Sequence, residues 1–158
     1  MIREATPDDV PTIAELIRAL ADYEKLSHEA VFSADDLRKA LFGERRYAEV
    51  LLAEEAGEVV AFALFFHNFS TFLAKPGIYL EDLFVRPERR GEGHGRALLA
   101  ALARVAVERG CGRLEWSVLD WNEPSIAFYG ALGAVPMDEW TVYRLSGDAL
   151  MTLAGRSV

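Results

Sequence analysis

The chain has 158 residues, half of them apolar, and its 17 basic and 25 acidic side chains give a formal net charge of −8. This composition is typical of one globular domain, which we expect to span residues 1–158. The acidic balance argues against a general nucleic-acid binder, because contact with phosphates needs a basic surface. No run approaches the roughly 20 apolar residues of a membrane span, and charged residues stand where a signal peptide needs an apolar run. The single cysteine, Cys111, excludes an internal disulfide and fits a reducing compartment, so we expect a cytoplasmic protein.

The first half of the chain predicts a strand, two helices and a hairpin. Thr6 with Asp9, and Ser33 with Asp36, have the spacing of capping boxes, in which a polar pair satisfies the backbone at a helix start. Gly57 lies in a turn between two apolar, β-favouring runs, which predicts a hairpin. The expected elements are a strand at 2–5, a helix from Thr6, a helix from Ser33 to Gly43, strands at 47–53 and 59–66, and an apolar loop at 67–76.

The stretch 79–96 is the part around which the rest of the chain is organised. Its strand, at 79–85, contains two adjacent carboxylates, Glu81 and Asp82, which a strand with an ordinary core role would avoid. Pro87 ends the strand, and a glycine-rich loop then leads into a helix. Glycines let backbone N–H groups turn toward one point, and a helix N-terminus adds partial positive charge. The loop therefore predicts an anion site.

The remainder of the chain alternates helices with strands. The expected elements are a helix from Arg96 to Gly110, a strand at 114–119, a helix from Asn122 or Glu123 to Gly133, a strand at 141–145 and a helix at 148–153. The full order, βααβββαβαβ, indicates an α/β fold in which helices cover a mixed sheet.

The glycine loop fits neither of two common phosphate motifs. A P-loop needs Gly-Lys-Ser/Thr, which residues 94–96 do not supply. A Rossmann fingerprint needs a third glycine where Arg96 stands. What remains is a pyrophosphate cradle between strand and helix, or glycines that only ease a tight turn. A cluster of arginines favours the cradle: Arg86, Arg89, Arg90 and Arg96.

Two residue types near the loop suit acyl transfer to an amine. A carboxylate such as Glu81 can take the proton that an amine of pKa near 10 must lose before it attacks a carbonyl. A phenol such as Tyr129 can return a proton to a leaving thiolate of comparable basicity. The alternatives are a strand-edge carboxylate paired with an arginine and a core tyrosine. No metal site is apparent, because the three histidines lack paired spacing and cysteine neighbours.

These residues together resemble the GCN5-related N-acetyltransferases (GNAT), whose acetyl-CoA loop has the form Q/R-x-x-G-x-G/A. Residues 90–95, RGEGHG, match it. The resemblance is closer to the diamine (spermidine/spermine) and thialysine acetyltransferases, through YLED at 79–82 and WNEPSIAFY at 121–129, and it spans nearly the whole chain. It implies a GNAT fold, a mixed and mostly antiparallel sheet with helices on both faces. It also implies a homodimer.

The resemblance implies direct acetyl transfer from acetyl-CoA to the primary amine of a small aliphatic amine, in a ternary complex. Glu81 would draw the proton from the amine through a water, and Tyr129 would protonate the CoA thiolate. The implied donor contacts are Leu83, Phe84, Val85, Arg90, Gly91, Glu92, Gly93, His94, Gly95, Arg96, Asn122, Glu123, Pro124 and Ser125. The implied amine contacts are Tyr23, Glu24, Glu81, Asp82, Glu115, Trp116, Ser117, Trp121 and Thr141.

One position departs from the diamine enzymes, which have a glutamate where Thr141 stands. A long polyamine needs a carboxylate for its far ammonium group, so this departure favours a lysine-like amine or a short diamine. Two other functions stay open: a non-catalytic acetyl-CoA or amine sensor, and an acetyltransferase of protein lysines or N-termini.

Overall fold

The computed structural model describes residues 1–156. The chain divides into two compact units, Met1–Leu119 and Asp120–Val158, which are described separately below. The expectation of one domain over residues 1–158 stays a prediction.

The first unit is built on a five-stranded sheet whose strands lie in chain order. The strands are β1 (Ile2–Glu4), β2 (Glu49–Glu55), β3 (Glu58–Ser70), β4 (Lys75–Val85) and β5 (Leu114–Trp116). Neighbouring strands are antiparallel from β1 to β4, and β4 pairs with β5 in parallel. The sheet is therefore mixed and mostly antiparallel, which confirms the prediction.

Helices cover both faces of this sheet. They are α1 (Val10–Tyr23) and α2 (Ala34–Phe42) on one face and α3 (His94–Glu108) on the other. Phe62 and Phe84 are paired across β3 and β4, and both pack into a core cluster with buried leucines of α1 and α2. Val85, the next residue along β4, points to the opposite face, where it lies against Gly95 near the start of α3.

Both predicted capping boxes are present. The Asp9 carboxylate accepts the Thr6 backbone N–H at 2.7 Å, although a short 3-10 turn, Pro7–Asp9, precedes α1 itself. Ser33 and Asp36 bond each other's backbone N–H groups at 3.0 and 3.1 Å and open α2. The predicted hairpin is also confirmed, because Ala56 and Gly57 both have positive φ between β2 and β3.

The predicted loop at 67–76 is wrong. His67 pairs with Ile78 and Ser70 pairs with Lys75, so β3 and β4 continue to a short turn at 71–74. Asn68, Ser70 and Thr71 interrupt an otherwise apolar stretch, but strand pairing uses the backbone, and successive side chains of a strand alternate between the two faces of the sheet.

The second unit contains α4 (Glu123–Ala131) and α5 (Gly147–Leu153), which confirms both predicted helices. The strand predicted at 141–145 is wrong: within residues 1–156 this segment belongs to no β-ladder. Thr, Val and Tyr there favour β structure, but a strand also needs a neighbour that pairs with its backbone. The observed order is therefore βααβββαβαα, still an α/β fold. Across the described residues, none of the helices has the length and apolar character needed to cross a membrane.

Candidate active site

Glu81 lies at a β-bulge in the middle of β4. Asp82 is paired with Leu64 and Leu80 with Phe65, so two consecutive residues of β3 face three of β4 and Glu81 has no partner in the register. A bulge re-aims the side chain of the extra residue, and bulges are common beside active sites. Glu81 is exposed. The sequence placed Glu81 in this strand but gave no sign of the bulge.

Three carboxylates gather on the face of the sheet that α1 covers, and we call Glu24, Glu81 and Asp82 the carboxylate cluster. Glu24 caps the C-terminal end of α1. Asp82 points to the same face, because its partner Leu64 packs against the cluster of core residues from α1 and α2. Burial raises the pKa of Asp82 from 3.8 to about 7, and the charges of Glu81 and then Glu24 add to the shift. Burial also raises the pKa of Glu24, with Glu81 adding to it.

The cluster is bordered by Tyr23 and Arg90, both predicted site residues. The Arg90 guanidinium lies 4.8 Å from the centre of the Tyr23 ring and 5.4 Å from that of Phe84. Its Nε donates to the carbonyl oxygen of Val85 at 3.2 Å. Arg90 therefore joins the end of α1 to the end of β4, and the structure brings the predicted residues Tyr23, Glu24, Glu81, Asp82 and Arg90 into one region.

The glycine loop, residues 90–96, has the backbone geometry of an anion site. Gly91 and Gly93 have φ of +82° and +88°, a conformation that favours glycine. Gly93 caps α3, which begins at His94 rather than at the predicted Arg96. The first N–H groups of α3 have no partner within the helix and are available to an anion.

Most arginines of this stretch are engaged within the protein. Arg86 is ion-paired to Glu15 at 2.7 Å. Arg89 is ion-paired to Glu55 and Glu92, and Arg90 covers aromatic rings. Arg96 is exposed and forms no ion pair within the described part of the chain. The groups of this stretch left for an anion are therefore Arg96 and the loop backbone.

A second group of charged residues beside the loop was missed by the sequence reasoning. Ligand atoms of Glu55, Glu92 and His94 lie within 4.8 Å of one another, a spacing that a metal ion can use. Arg89 forms ion pairs with both of these glutamates, so the protein supplies positive charge there itself. Glu55 belongs to β2, far from the loop in sequence, and no local pattern links them.

The predicted amine contacts on and after β5 are held by neighbouring strands. The Glu115 carboxylate accepts from Asn68 at 3.1 Å and pairs with Arg113 at 2.9 Å. The Ser117 and Tyr79 hydroxyls are 2.6 Å apart, and Trp116 pairs with Leu80 in the ladder. Asn68, which the sequence placed in a loop, has a buried Oδ1 with no hydrogen-bond partner among residues 1–156. Gly77 is paired with Asn68 across the ladder and leaves room for that oxygen, because a Cβ at residue 77 would fall 2.3 Å from it.

The second unit carries the remaining predicted residues. Asn122 is nearly fully buried and caps α4, its side-chain oxygen accepting the Ser125 N–H at 3.4 Å. Pro124 occupies the first turn, as the sequence predicts. Tyr129 lies on α4, and its ring centre is 5.6 Å from that of Phe128. Glu123 opens α4, Trp121 precedes it, and Thr141 lies outside any helix or strand. A site shared by Tyr129 and Glu81 stays a prediction.

Known proteins resemble this chain in sequence and in fold. The sequence profile of the Acetyltransferase (GNAT) family matches residues 14–134. The thialysine N-epsilon-acetyltransferase of Bos taurus is 41% identical, and the match covers 99% of this chain and 98% of that protein. The L-ornithine N5-acetyltransferase of Arabidopsis thaliana is 36% identical, with 96% and 86% covered. An integron cassette protein from V. cholerae has a TM-score of 0.80 at 30% identity, with 98% and 96% covered.

The chain belongs to the GNAT family of acetyltransferases. It is an N-acetyltransferase, and its relatives include thialysine acetyltransferases and a spermidine/spermine acetyltransferase-like protein. This agrees with the branch that the motifs at 79–82 and 121–129 predict. Because an N-acetyltransferase is an enzyme, the assignment argues against the non-catalytic sensor, one of the two alternatives left open by the sequence.

Proposed function

We propose that this enzyme transfers the acetyl group of acetyl-CoA to the primary amine of a small aliphatic amine that carries a second cationic group, such as thialysine, ornithine, lysine or a short diamine. The carboxylate cluster at the β4 bulge is the observation that carries this proposal. Its three acids lie in one region, and the pKa values of Glu24 and Asp82 are raised by burial and by the charges of neighbouring acids. A cationic ligand would relieve that repulsion.

The donor would lie along β4 and across the glycine loop. Acetyl-CoA supplies an activated acyl thioester and an anionic pyrophosphate. Backbone N–H groups at the start of α3 would hold the pyrophosphate, because the positive φ of Gly91 and Gly93 leaves the loop open to it. By resemblance to the family, Leu83–Val85 would pair with the extended pantetheine arm, and residues 122–125 would also contact the donor.

Three proton transfers balance the reaction. Glu81, through a water, takes a proton from the acceptor ammonium group, and the free amine attacks the thioester carbonyl. A C–N bond forms and the C–S bond breaks, which leaves a thiolate. Tyr129 gives its phenolic proton to that sulfur, and the second proton that the new amide nitrogen must lose restores the phenol. The exposure of Glu81 at the bulge supports its role as the base, and the resemblance of residues 121–129 to the family supports Tyr129 as the acid.

A CoA-release screen tests the proposal. Acetyl-CoA is mixed with thialysine, ornithine, lysine, short diamines, spermidine or a lysine peptide, and the acetylated product is confirmed by mass. We expect the diamino acids or short diamines to give the highest relative kcat/KM, and Tyr129→Phe to lower kcat by at least tenfold near pH 8. Preference for the peptide would support the protein-acetylating alternative and contradict the small-amine assignment. Full turnover of Tyr129→Phe would remove its role as the acid.

Long polyamines are expected to be weaker acceptors than short diamines. Thr141 stands where the diamine enzymes have a glutamate for the far ammonium group, and it lies outside any helix or strand. For protein N-termini as acceptors, the likeness is one of fold alone: the ribosomal-protein-alanine N-acetyltransferase from Brucella melitensis has a TM-score of 0.73 at 23% identity.

The assembly and the location are proposed from the family resemblance and from the cysteine content. The resemblance to the diamine and thialysine enzymes supports a homodimer, which sedimentation would report as twice the 17.6 kDa of one chain. A single free cysteine supports the cytoplasm. A monomer in sedimentation, or a secreted protein in cell fractionation, would contradict these two proposals.

A further inference from the structure

We propose that Glu55, Arg89, Glu92 and His94 form a clamp that holds the glycine loop in its donor-binding shape, so that Arg89 and Glu55 are positioning residues for acetyl-CoA. We call these four residues the loop clamp. The proposal rests on the proposed function, because it assigns the loop to the pyrophosphate of the donor.

The contacts of the loop clamp connect the residues on either side of segment 90–93 to one carboxylate, that of Glu55. Arg89, just before the loop, is ion-paired to Glu55 and donates from Nε to Glu92 at 2.9 Å. His94, at the first position of α3, has its Nε2 3.0 Å from Glu92 and 3.3 Å from Glu55. The imidazole is largely covered, with its side chain 14% exposed. Glu55 is therefore shared by the residues on either side of Arg90–Gly93.

A fixed anchor is what such a loop requires. Gly91 and Gly93 both have positive φ, and a Cβ at either position would meet nothing within 4 Å. Their Cβ positions are open, and glycine loses more conformational freedom on ordering than other residues do. Glu55 ends β2 and pairs with Glu58 across the tight hairpin, so its backbone is held by the sheet. Tying residues 89 and 94 to it restricts the four residues between them.

The loop clamp also offsets negative charge beside the proposed pyrophosphate site. The carboxylates of Glu55 and Glu92 would repel a pyrophosphate bound at the loop, because like charges close together on one surface repel each other. The guanidinium of Arg89 sits between these two carboxylates and offsets them. Arg89 thus acts on the donor through the glutamates and the loop backbone, without contacting the reacting atoms.

The test is a KM-against-kcat comparison of Arg89→Ala, Arg89→Lys and Glu55→Gln, with Glu58→Gln as the matched control. Glu58 is on the same hairpin, and its ion pair with Arg89, at 4.0 Å, is longer than those that Arg89 forms with Glu55 and Glu92. We expect Arg89→Ala and Glu55→Gln to raise the KM for acetyl-CoA by about five- to twentyfold, with kcat and the amine KM within twofold. Arg89→Lys should recover part of the loss, and Glu58→Gln should stay within twofold. In the double variant the effects should be less than multiplicative, because both substitutions break one contact.

An unchanged KM for acetyl-CoA in Arg89→Ala and Glu55→Gln would overturn the clamp, as would a fall in kcat with KM constant.

Hydrogen exchange of the free protein gives a readout that does not need catalysis. We expect faster exchange at residues 90–96 in both variants, with the amides of β2 and β3 unchanged. If wild-type protein binds no acetyl-CoA in calorimetry, the proposed function fails, and so does the clamp's role for the donor. The exchange data then decide whether the loop clamp orders the loop. Equal exchange rates at residues 90–96 in the wild type and all variants would overturn that ordering role as well.

Discussion

Asp82 has the environment that departs furthest from that of an ordinary strand carboxylate. It is part-buried on the α1 face of the sheet, and Glu81 and Glu24 are the charges that act on it. Burial raises its pKa from 3.8 to about 7, so in the folded chain it holds a proton that the unfolded chain has already released. Stability therefore falls as pH rises through the window between about 4 and 7. Under the proposed function, a bound ammonium group would offset this loss of stability.

Substituting Asp82→Asn removes that penalty. The free energy of unfolding in urea, measured at fixed protein concentration, should favour the variant increasingly from pH 5 to 7 and level off above about 8. The gain should be a few kcal/mol at most, since one pKa unit is worth about 1.4 kcal/mol. Parallel stability curves across this range would contradict the raised pKa.

Asp36→Asn provides a control of opposite sign. The backbone N–H of Ser33 lowers the pKa of Asp36, with the Ser33 side chain adding to it. The contribution of Asp36 to the free energy of unfolding is present above its usual pKa of about 4. It is lost as pH falls through the lower pKa that Asp36 has in the folded protein. The difference between wild type and this variant should therefore stay constant above pH 5 and shrink only in acid.

At the scale of elements, the glycine loop combines positive φ with open space. Gly93→Ala meets no atom within 4 Å, so its cost is backbone strain of about 1–2 kcal/mol. Gly95→Ala is the matched control, because Gly95 lies in α3 with ordinary φ and its Cβ would be 3.7 Å from Val85, a normal contact. It should be neutral or stabilising by up to about 1 kcal/mol. Equal destabilisation by both substitutions, in thermal or urea unfolding, would contradict the strain argument.

Elements with local signals could be predicted from the sequence, and those set by distant partners could not. The capping boxes at Thr6 and Ser33 depend on residues three apart, and both are present. The bulge at Glu81 depends on how β3 and β4 align, which no residue of β4 encodes alone. The strand predicted at 141–145 failed for the same reason, since β-propensity does not supply a partner. The contact of Glu55 with Arg89 joins segments 34 residues apart.

At the scale of the whole molecule, the GNAT profile matches residues 14–134, which include most of the first unit and the start of the second. The first unit contains the sheet, the bulge and the start of α3. The second contains Asn122, which caps α4, and Tyr129 on α4. The net charge of −8 favours encounter with cationic amines over anionic partners. We therefore expect acceptor selection to follow the charge of the amine, and to weaken with added salt.

The most direct test of the account compares 1,5-diaminopentane with pentylamine, which differ by one ammonium group on the same chain. At pH 8 and low salt, wild-type enzyme should show a kcat/KM at least tenfold higher for the diamine, beyond the factor of two from its second amine. Tenfold corresponds to about 1.4 kcal/mol, within reach of one part-buried ion pair. Asp82→Asn should reduce this preference severalfold. Equal kcat/KM for the two amines in the wild type, or an unchanged preference in Asp82→Asn, would contradict the central claim that the carboxylate cluster selects the acceptor.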